Sequence, residues 1–309
     1  MAKVLVCDPM ADGPLEQMRA VPHLEVTYSP DVTPEELLTA VKGMHAMVVR
    51  GRTKVTEEVI DAFDEMKVIV RGGVGIDNIK HEYAAGKGVE TKNTPAASSQ
   101  SVAELALAMM FALARKVVPA TGSMQAGKWE KKAFKGTELS GKTLGLVGLG
   151  RIARALGKMG HALGMRVIGT DPYVNAADVK EFPVEGVSLE EVMRGSDYIS
   201  VHVPHTGETH HLLDAAMLGM MKPTAFLVDC SRGGVRDDSA LVALLRDGKI
   251  AGAGLDVFET EPPESNPFEG MESVVMAPHQ GAQTAEGQSR VGYEVVEILD
   301  AYFKAEAGA

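Results

Sequence analysis

The chain has little cysteine, no long apolar run and no excess of positive charge. Its two cysteines, Cys7 and Cys230, lie in or beside short apolar stretches and form no ligand spacing. A disulfide framework is excluded, no metal site is expected, and the natural setting is a reduced compartment. No apolar run reaches membrane-spanning length, and the opening MAKVLVCDPM turns polar too soon for a signal peptide; the expectation is a cytoplasmic protein with no membrane partner. Lysine and arginine number 31 against 42 aspartates and glutamates, a net charge of −11. That balance argues against a nucleic-acid partner, while leaving room for a local basic pocket that takes a small anion.

What remains is an ordinary soluble composition, 45% hydrophobic and 24% charged over 309 residues, long enough for two domains. Short apolar runs alternate with helix-period segments along nearly its whole length. Strands are expected near 3–7, 24–28, 46–49 and 68–70, with helices at 14–20, 34–41 and 56–63. Thr33 is placed to cap the second of these and Glu36 to complete a capping box. The strands are unbroken apolar runs rather than alternating ones, the pattern of a parallel sheet covered on both faces. A long helix is expected over 99–118, apolar on more than one stripe and therefore buried. Residues 119–140, with the only tryptophan, Trp129, read either as a solvated connector or as an arm that packs on a partner subunit. Further strands are expected at 198–203, 225–230, 251–257 and 274–277. The helices of this second half are expected at 188–194, 215–221 and 238–245, and a last helix at 284–305 returns to the first domain. The fold class is therefore α/β, with one domain inserted in the other: 1–95 plus 283–309, and 96–282.

The most informative stretch is 141–173, GKTLGLVGLGRIARALGKMGHALGMRVIGTDPY. It reads as strand, glycine turn, helix, strand, acid. Gly148 permits a tight turn off the first strand, Gly150 lets the backbone approach a pyrophosphate, and Ala153 keeps the helix close to the sheet. The helix N-terminus offers unpaired amides to phosphate. Asp171 follows the second strand, where a carboxylate binds ribose hydroxyls and repels a 2′-phosphate, so NAD is the expected cofactor.

Ligands of open α/β sheets bind beyond the carboxyl ends of the strands. The residues following successive strands in the second half are Val203, Pro204 and Thr209; Ser231 and Arg232; Asp256 and Glu261; and His279, Gly281 and Ala282. Arg232 suits the carboxylate of a 2-oxo or 2-hydroxy acid. His279 can give or take the proton at C2 oxygen, and Glu261 can orient it and favour the imidazolium.

The runs NTPAASSQSVAELALAMM, GKTLGLVGLGRI, VDCSRGGVRDDSALVALL, GAGLDVFETEPP and APHQGA resemble the D-isomer-specific 2-hydroxyacid dehydrogenase family over nearly the whole chain. The resemblance implies two Rossmann-like parallel-sheet domains, a flavodoxin-like substrate domain and an inserted NAD-binding domain. It implies a catalytic Arg232, Glu261 and His279, and a homodimer or homotetramer built partly from the 99–118 helix. Cofactor contacts are implied at Val74, Arg151, Ile152, Asp171, Val203, Cys230, Ser231, Arg232, Asp256 and the stretch from His279 to Ala282. Substrate contacts are implied at Arg50, Arg71, Gly73, Val74 and Gly75, beside Arg232 and His279. Arg50, Arg52, Arg71 and Lys131 would form a basic pocket for a phosphate or other anion. The expected reaction interconverts D-3-phosphoglycerate and 3-phosphohydroxypyruvate; hydroxypyruvate, glyoxylate and a sulfonated analogue are the alternative substrates. NAD(H)-sensing corepressors share the fold and the triad, and stand as the non-enzymatic alternative. No C-terminal serine-sensing domain is expected.

Overall fold

The structure, a computed structural model, describes residues 1–307; the last two residues of the expected 283–309 segment lie outside the described residues. The chain forms two compact units, one of Met1–Ser98 with the chain from Ala282 onward, the other Ser99–Gly281.

The first unit runs β1 (Ala2–Val6), α1 (Asp12–Ala20), β2 (Leu24–Tyr28), α2 (Pro34–Ala40), β3 (Ala46–Val49), α3 (Glu57–Asp61), β4 (Val68–Arg71), α4 (His81–Gly86) and β5 (Glu90–Asn93). The strands form one parallel sheet ordered β2-β1-β3-β4-β5. Side-chain alternation divides its core. Leu5, Met47, Val49 and Ile69 pack with Leu37, Val59 and Ile60. Val4, Val6, Val48, Val68 and Val70 pack with Met18 and with Val295, Val296 and Leu299 of the C-terminal helix, Ala285–Ala307. Two covered faces explain the unbroken apolar runs at 4–6, 46–49 and 68–70 in the three central strands. The Thr33 and Glu36 capping box forms as its spacing suggests. Helix α4 and strand β5 carry little apolar signal: β5 reads ETKN and exposes Glu90 at the sheet edge.

The second unit begins with α5 (Ser99–Ala114) and α6 (Val117–Gln125), continues through a 3₁₀ turn at Lys131–Phe134, and then alternates. Its elements are β6 (Thr143–Val147), α7 (Arg151–Ala162), β7 (Arg166–Thr170), β8 (Glu185–Gly186), α8 (Leu189–Gly195), β9 (Tyr198–Val201), α9 (Ala215–Leu218), β10 (Phe226–Asp229), α10 (Asp238–Arg246), β11 (Gly252–Leu255) and β12 (Val274–Met276). The seven parallel strands are ordered β12-β11-β10-β9-β6-β7-β8. The order reverses at β6, which lies between β7 and β9. Helices α5 and α7 cover one face, with Met109, Met110, Ala153 and Leu156 in its core. Val192, Leu218, Leu241 and Leu245 cover the other.

One expected element divides. The 99–118 helix ends at Ala114, and α6 starts at Val117 after Lys116 takes a left-handed conformation, φ 51°. Proline explains the break. In an unbroken helix Pro119 would remove an interior amide and clash with the preceding turn, whereas in the first turn of α6 its missing N–H is no loss. The stretch 119–140, read as a connector or arm, thus holds most of a helix and a short turn. Met124 and Trp129 in this stretch, and Val117 and Val118 just before it, are exposed.

A left-handed residue with a Cβ costs about 1–2 kcal/mol, which glycine avoids while gaining freedom in the unfolded chain. Lys116→Gly should therefore raise stability by about 0.5–1 kcal/mol, measured by urea denaturation. A fall would show that the Lys116 Nζ to Ala133 carbonyl contact outweighs the backbone strain.

Candidate active site

The carboxyl edge of the second sheet collects the chemistry. After β6 the chain turns at Gly148, φ 91°, where a Cβ would lie 2.9 Å from the His202 carbonyl oxygen. Gly150 is the N-cap of α7 and no side chain caps that helix. The space around Gly150 is open, with nothing within 4 Å of a Cβ built there. An uncapped helix start behind a Cβ-free turn fits a pyrophosphate. Arg151 is exposed beside it, and Ile152 half-buried.

Asp171 follows β7. Its Oδ2 accepts the Leu149 amide at 2.8 Å, and its Oδ1 accepts those of Tyr173 and Val174 at 2.8 and 2.9 Å. The carboxylate is thus anchored against the glycine turn with lone pairs to spare, in keeping with ribose hydroxyl donors. Val203 and Pro204 follow β9. The Thr209 hydroxyl is turned inward, donating to the Pro204 carbonyl at 2.6 Å, so its side chain shapes this loop.

Cys230, Ser231 and Arg232 follow β10. Cys230 is buried and a free thiol, and burial pushes its pKa up. Arg232 donates from Nη1 to the Ser231 carbonyl at 2.6 Å. Asp256, almost wholly buried after β11, accepts the amides of Gln280 and Gly281, both at 2.8 Å. Burial pushes its carboxyl pKa up, against the pull of those amides. The Asp256 carbonyl in turn accepts the His279 amide at 2.8 Å.

His279, in a left-handed conformation at φ 50°, lies with Nδ1 2.6 Å from Oε2 of Glu261. Oε1 of Glu261 accepts the Phe258 amide at 3.0 Å. Burial raises the Glu261 pKa, but the hydrogen bond and charge of His279, the Phe258 amide and the charge of Arg232 outweigh it and hold the carboxyl below its ordinary value. An ionised Glu261 accepts from Nδ1–H, which fixes the tautomer and leaves Nε2 for proton exchange. The structure therefore brings Arg232, Glu261 and His279 together within one unit.

The first unit holds the other candidates. Arg50 follows β3, and Arg71 ends β4 opposite Val49 in register. The Arg50 guanidinium is partly buried, which lowers its pKa, and it donates from Nη1 to Oε1 of Gln288. Gly73 has φ 144°, and the Arg71 guanidinium fills the space its Cβ would need. The Val74 carbonyl accepts from Asn93 Nδ2, and Gly75 is half-buried. Ala282 opens the returning segment, its carbonyl accepting from Gln288 Nε2 at 3.1 Å. Lys131, in the second unit, is exposed. Arg52 does not join a basic pocket. It pairs with the buried Asp8 at 3.2 Å and donates from Nη2 to the carbonyls of Cys7 and Pro30, so it pins the loop after β1.

Sequence reading passed over Asp8, His202, Asp229, Arg236 and Gln288. Asp8 and Asp229 had a signal, an acid at the end of an apolar run. His202 had none. Its ring nitrogens are closed off from solvent and lack partners among the described residues, and burial pushes its pKa down to about 3.

The stretch 107–281 matches the model for the NAD binding domain of D-isomer specific 2-hydroxyacid dehydrogenases. The chain belongs to that family. It is 43% identical over 307 residues to the D-3-phosphoglycerate dehydrogenase of Methanocaldococcus jannaschii, covering 99% of this chain and 58% of that one. It is also 43% identical over 300 residues to the hydroxypyruvate reductase of Thermotoga maritima, covering 96% and 97%. The chain thus spans little more than half the length of the phosphoglycerate dehydrogenase relative and nearly all of the reductase. Among solved structures, the TT0316 protein of Thermus thermophilus superposes with a TM-score of 0.89 at 34% identity, covering 98% and 97%. A D-lactate dehydrogenase of Aquifex aeolicus, complexed with NAD and lactic acid, superposes with a TM-score of 0.85 at 28% identity, covering 99% and 96%. Two parallel-sheet α/β units and an NAD-binding domain are thereby family features of this chain. Among the described residues no helix is long and apolar enough to cross a membrane.

His202 sets a pH dependence. Its folded pKa of about 3 lies below the ordinary 6.5, so in that window the unfolded chain binds a proton that the folded chain refuses. Stability should fall as pH drops below 6.5, by up to about 1.4 kcal/mol per pH unit. His202→Leu should flatten this slope in urea titrations between pH 6.5 and 5. An unchanged slope would assign the loss to other groups.

Proposed function

We propose that the chain is an NAD-dependent 2-hydroxyacid dehydrogenase acting at C2 of a small anionic acid, with D-3-phosphoglycerate and 3-phosphohydroxypyruvate as its preferred pair. The observation that carries this reading is the Glu261–His279 contact at 2.6 Å, on a sheet edge that also presents Arg232. NAD, when bound, supplies the hydride acceptor or donor. Arg232 binds the substrate carboxylate through a planar fork and polarises the C2 oxygen. His279 Nε2 takes the hydroxyl proton in oxidation and returns it to the developing alkoxide in reduction, while Glu261 stabilises the imidazolium between the two. Gly148, Gly150, Arg151, Ile152 and Asp171 are proposed to hold the pyrophosphate and ribose. Val74, Val203, Pro204, Thr209, Cys230, Ser231, Asp256, Gly281 and Ala282 complete the cofactor contacts, with Asp256 at the nicotinamide amide.

Arg50, Arg71 and the backbone from Gly73 to Gly75, with Lys131, are proposed for the substrate's distal anion. The cationic groups at the ends of β3 and β4 support this. We further propose that the unit Ser99–Gly281 is the NAD-binding domain and the remainder the substrate domain, with serine biosynthesis in the cytoplasm as the setting. The exposed apolar side chains of α6 support a homodimer or homotetramer. Reduction of unphosphorylated hydroxypyruvate is the second reading, favoured by the near-complete coverage of the Thermotoga maritima reductase.

Parallel assays of NADH oxidation with phosphohydroxypyruvate and hydroxypyruvate decide between them. The first reading expects kcat/KM to favour the phosphorylated acid about a hundredfold, or ~2.7 kcal/mol; equal rates select the second. Arg50→Ala should raise KM at least about tenfold for the phosphorylated acid, the loss of one charge-assisted contact, and much less for hydroxypyruvate. Asp171→Ala should shift cofactor preference towards NADP. Unaltered selectivity would remove Asp171 from the ribose site.

A further inference from the structure

Arg236 is the largest side chain that is fully buried among the described residues. Its guanidinium points three ways. Nη1 donates to Oδ2 of Asp229, itself fully buried, at the end of β10. Nε lies 2.9 Å from Oδ1 of Asp238, an ion pair without hydrogen-bond geometry, and Nη2 donates to the Val257 carbonyl at 2.6 Å. Each partner leads to the candidate active site. The other oxygen of Asp229 accepts both the amide and the hydroxyl of Ser231, at 2.9 and 2.6 Å, and Arg232 is the next residue. Val257 follows Asp256 and precedes Phe258, whose amide holds Glu261. Asp238 and Glu259 exchange hydrogen bonds, amide to carboxylate in both directions, at 2.9 and 3.4 Å. The two loops also touch directly, for a Cβ on Gly233 would fall 1.8 Å from the Phe258 carbonyl oxygen.

We propose that Arg236 is a positioning residue. It ties the exits of β10 and β11 together and, through Asp229, clamps Ser231, so that Arg232 is presented at a fixed distance from the Glu261–His279 pair. The inference rests on the reaction proposed above for its catalytic meaning, and on the hydrogen bonds alone for the tether.

Burial makes the charges interdependent. Removing the guanidinium leaves Asp229 as an uncompensated charge in a dry interior, the worst outcome for a buried pair, whereas removing both charges together is often tolerated. Asp229 uses Oδ1 for both Ser231 contacts and Oδ2 only for Arg236. Asparagine can therefore keep the Ser231 clamp through its single oxygen. This gives a cycle with opposite expectations for its members.

The test is hydrogen–deuterium exchange of the full chain, read on peptides spanning 230–235 and 257–261. Arg236→Leu should speed exchange at least about tenfold in both peptides, and Arg236→Lys, which keeps the charge but loses the fork, should speed it less. Exchange at 148–152 should not change in either. Asp229→Asn with Arg236→Leu should restore protection in 230–235 and leave 257–261 fast, since the Val257 contact is still missing. Turnover per NADH-binding site, followed in parallel, should fall about tenfold or more in Arg236→Leu and recover only in part in the double variant, where the tie to Val257 is still missing, with KM for NADH steady in both. Should Arg236→Leu not fold, Arg236→Lys and the double variant carry the comparison. Wild-type exchange in the lysine variant and in both peptides of the double variant would overturn the proposal. So would a folded, NADH-binding double variant that stays unprotected at 230–235. Lack of wild-type turnover on either oxoacid would count against the reaction alone, because the exchange pattern reads the tether without it.

Discussion

A parallel sheet forces every strand to end at the same edge, and the rest of this molecule follows from that constraint. Each strand must be followed by a crossover that carries the chain back, a helix in most cases and a loop between β11 and β12, so the edge is built entirely of loops, and their backbone amides lie outside the sheet's hydrogen-bond ladder. The edge of the second sheet therefore holds the glycine turn after β6, Asp171 after β7, Arg232 after β10, Asp256 and Glu261 after β11, and His279 after β12. No single local motif places these residues together. They converge because their strands are neighbours, and the strand order reverses at β6, where a crevice opens beyond the sheet.

That dependence decides what could be read from sequence. Short, mostly apolar runs marked the central strands of both sheets, because strands covered on two faces bury most of their side chains. The residues just past each run then supplied the catalytic candidates without any knowledge of pairing. The signal failed where burial failed. Strand β5 is an exposed edge with only one threonine of strand-forming character, and β8 is two residues long. The split between α5 and α6 needed the meaning of Pro119, not the apolar pattern, which resumes at Val117 and Val118 after Arg115 and Lys116. Arg52 looked the same as Arg50 on the page. Only the structure shows that one guanidinium faces a buried carboxylate in the loop after β1 while the other leans on Gln288.

The framework residues were the least legible, and they share a rule. Asp8 ends the stretch after β1 and accepts the amides of Arg50 and Thr53 from the loop after the neighbouring β3. Asp171, after β7, accepts Leu149 from the loop after neighbouring β6. Asp256, after β11, accepts Gln280 and Gly281 from the loop after neighbouring β12. In each case an acid at the end of one strand gathers the loose amides of the loop beside it. Asp229 does the same for its own loop, with Arg236 balancing its charge. In the sequence all four look alike, an aspartate closing an apolar run, and only two invite a ligand-binding reading.

Carboxylate suits this position better than its neutral isostere, and Asp256 shows why. It uses both oxygens, one for each of two consecutive amides. A carboxylate has no donor to satisfy, so either oxygen can meet an N–H. Asparagine would offer one oxygen and one NH₂ group, and the NH₂ would face a backbone N–H in a buried place, donor against donor. Asp229 escapes this conflict because one oxygen serves both Ser231 contacts and the other meets only Arg236. The two buried acids thus have different tolerances although their sequence settings match. At Asp256 geometry demands two acceptors and the cost of burying charge is partly offset by amides and by nearby His279. At Asp229 the charge is balanced by a second buried charge, and the requirement is for the pair rather than for the acid.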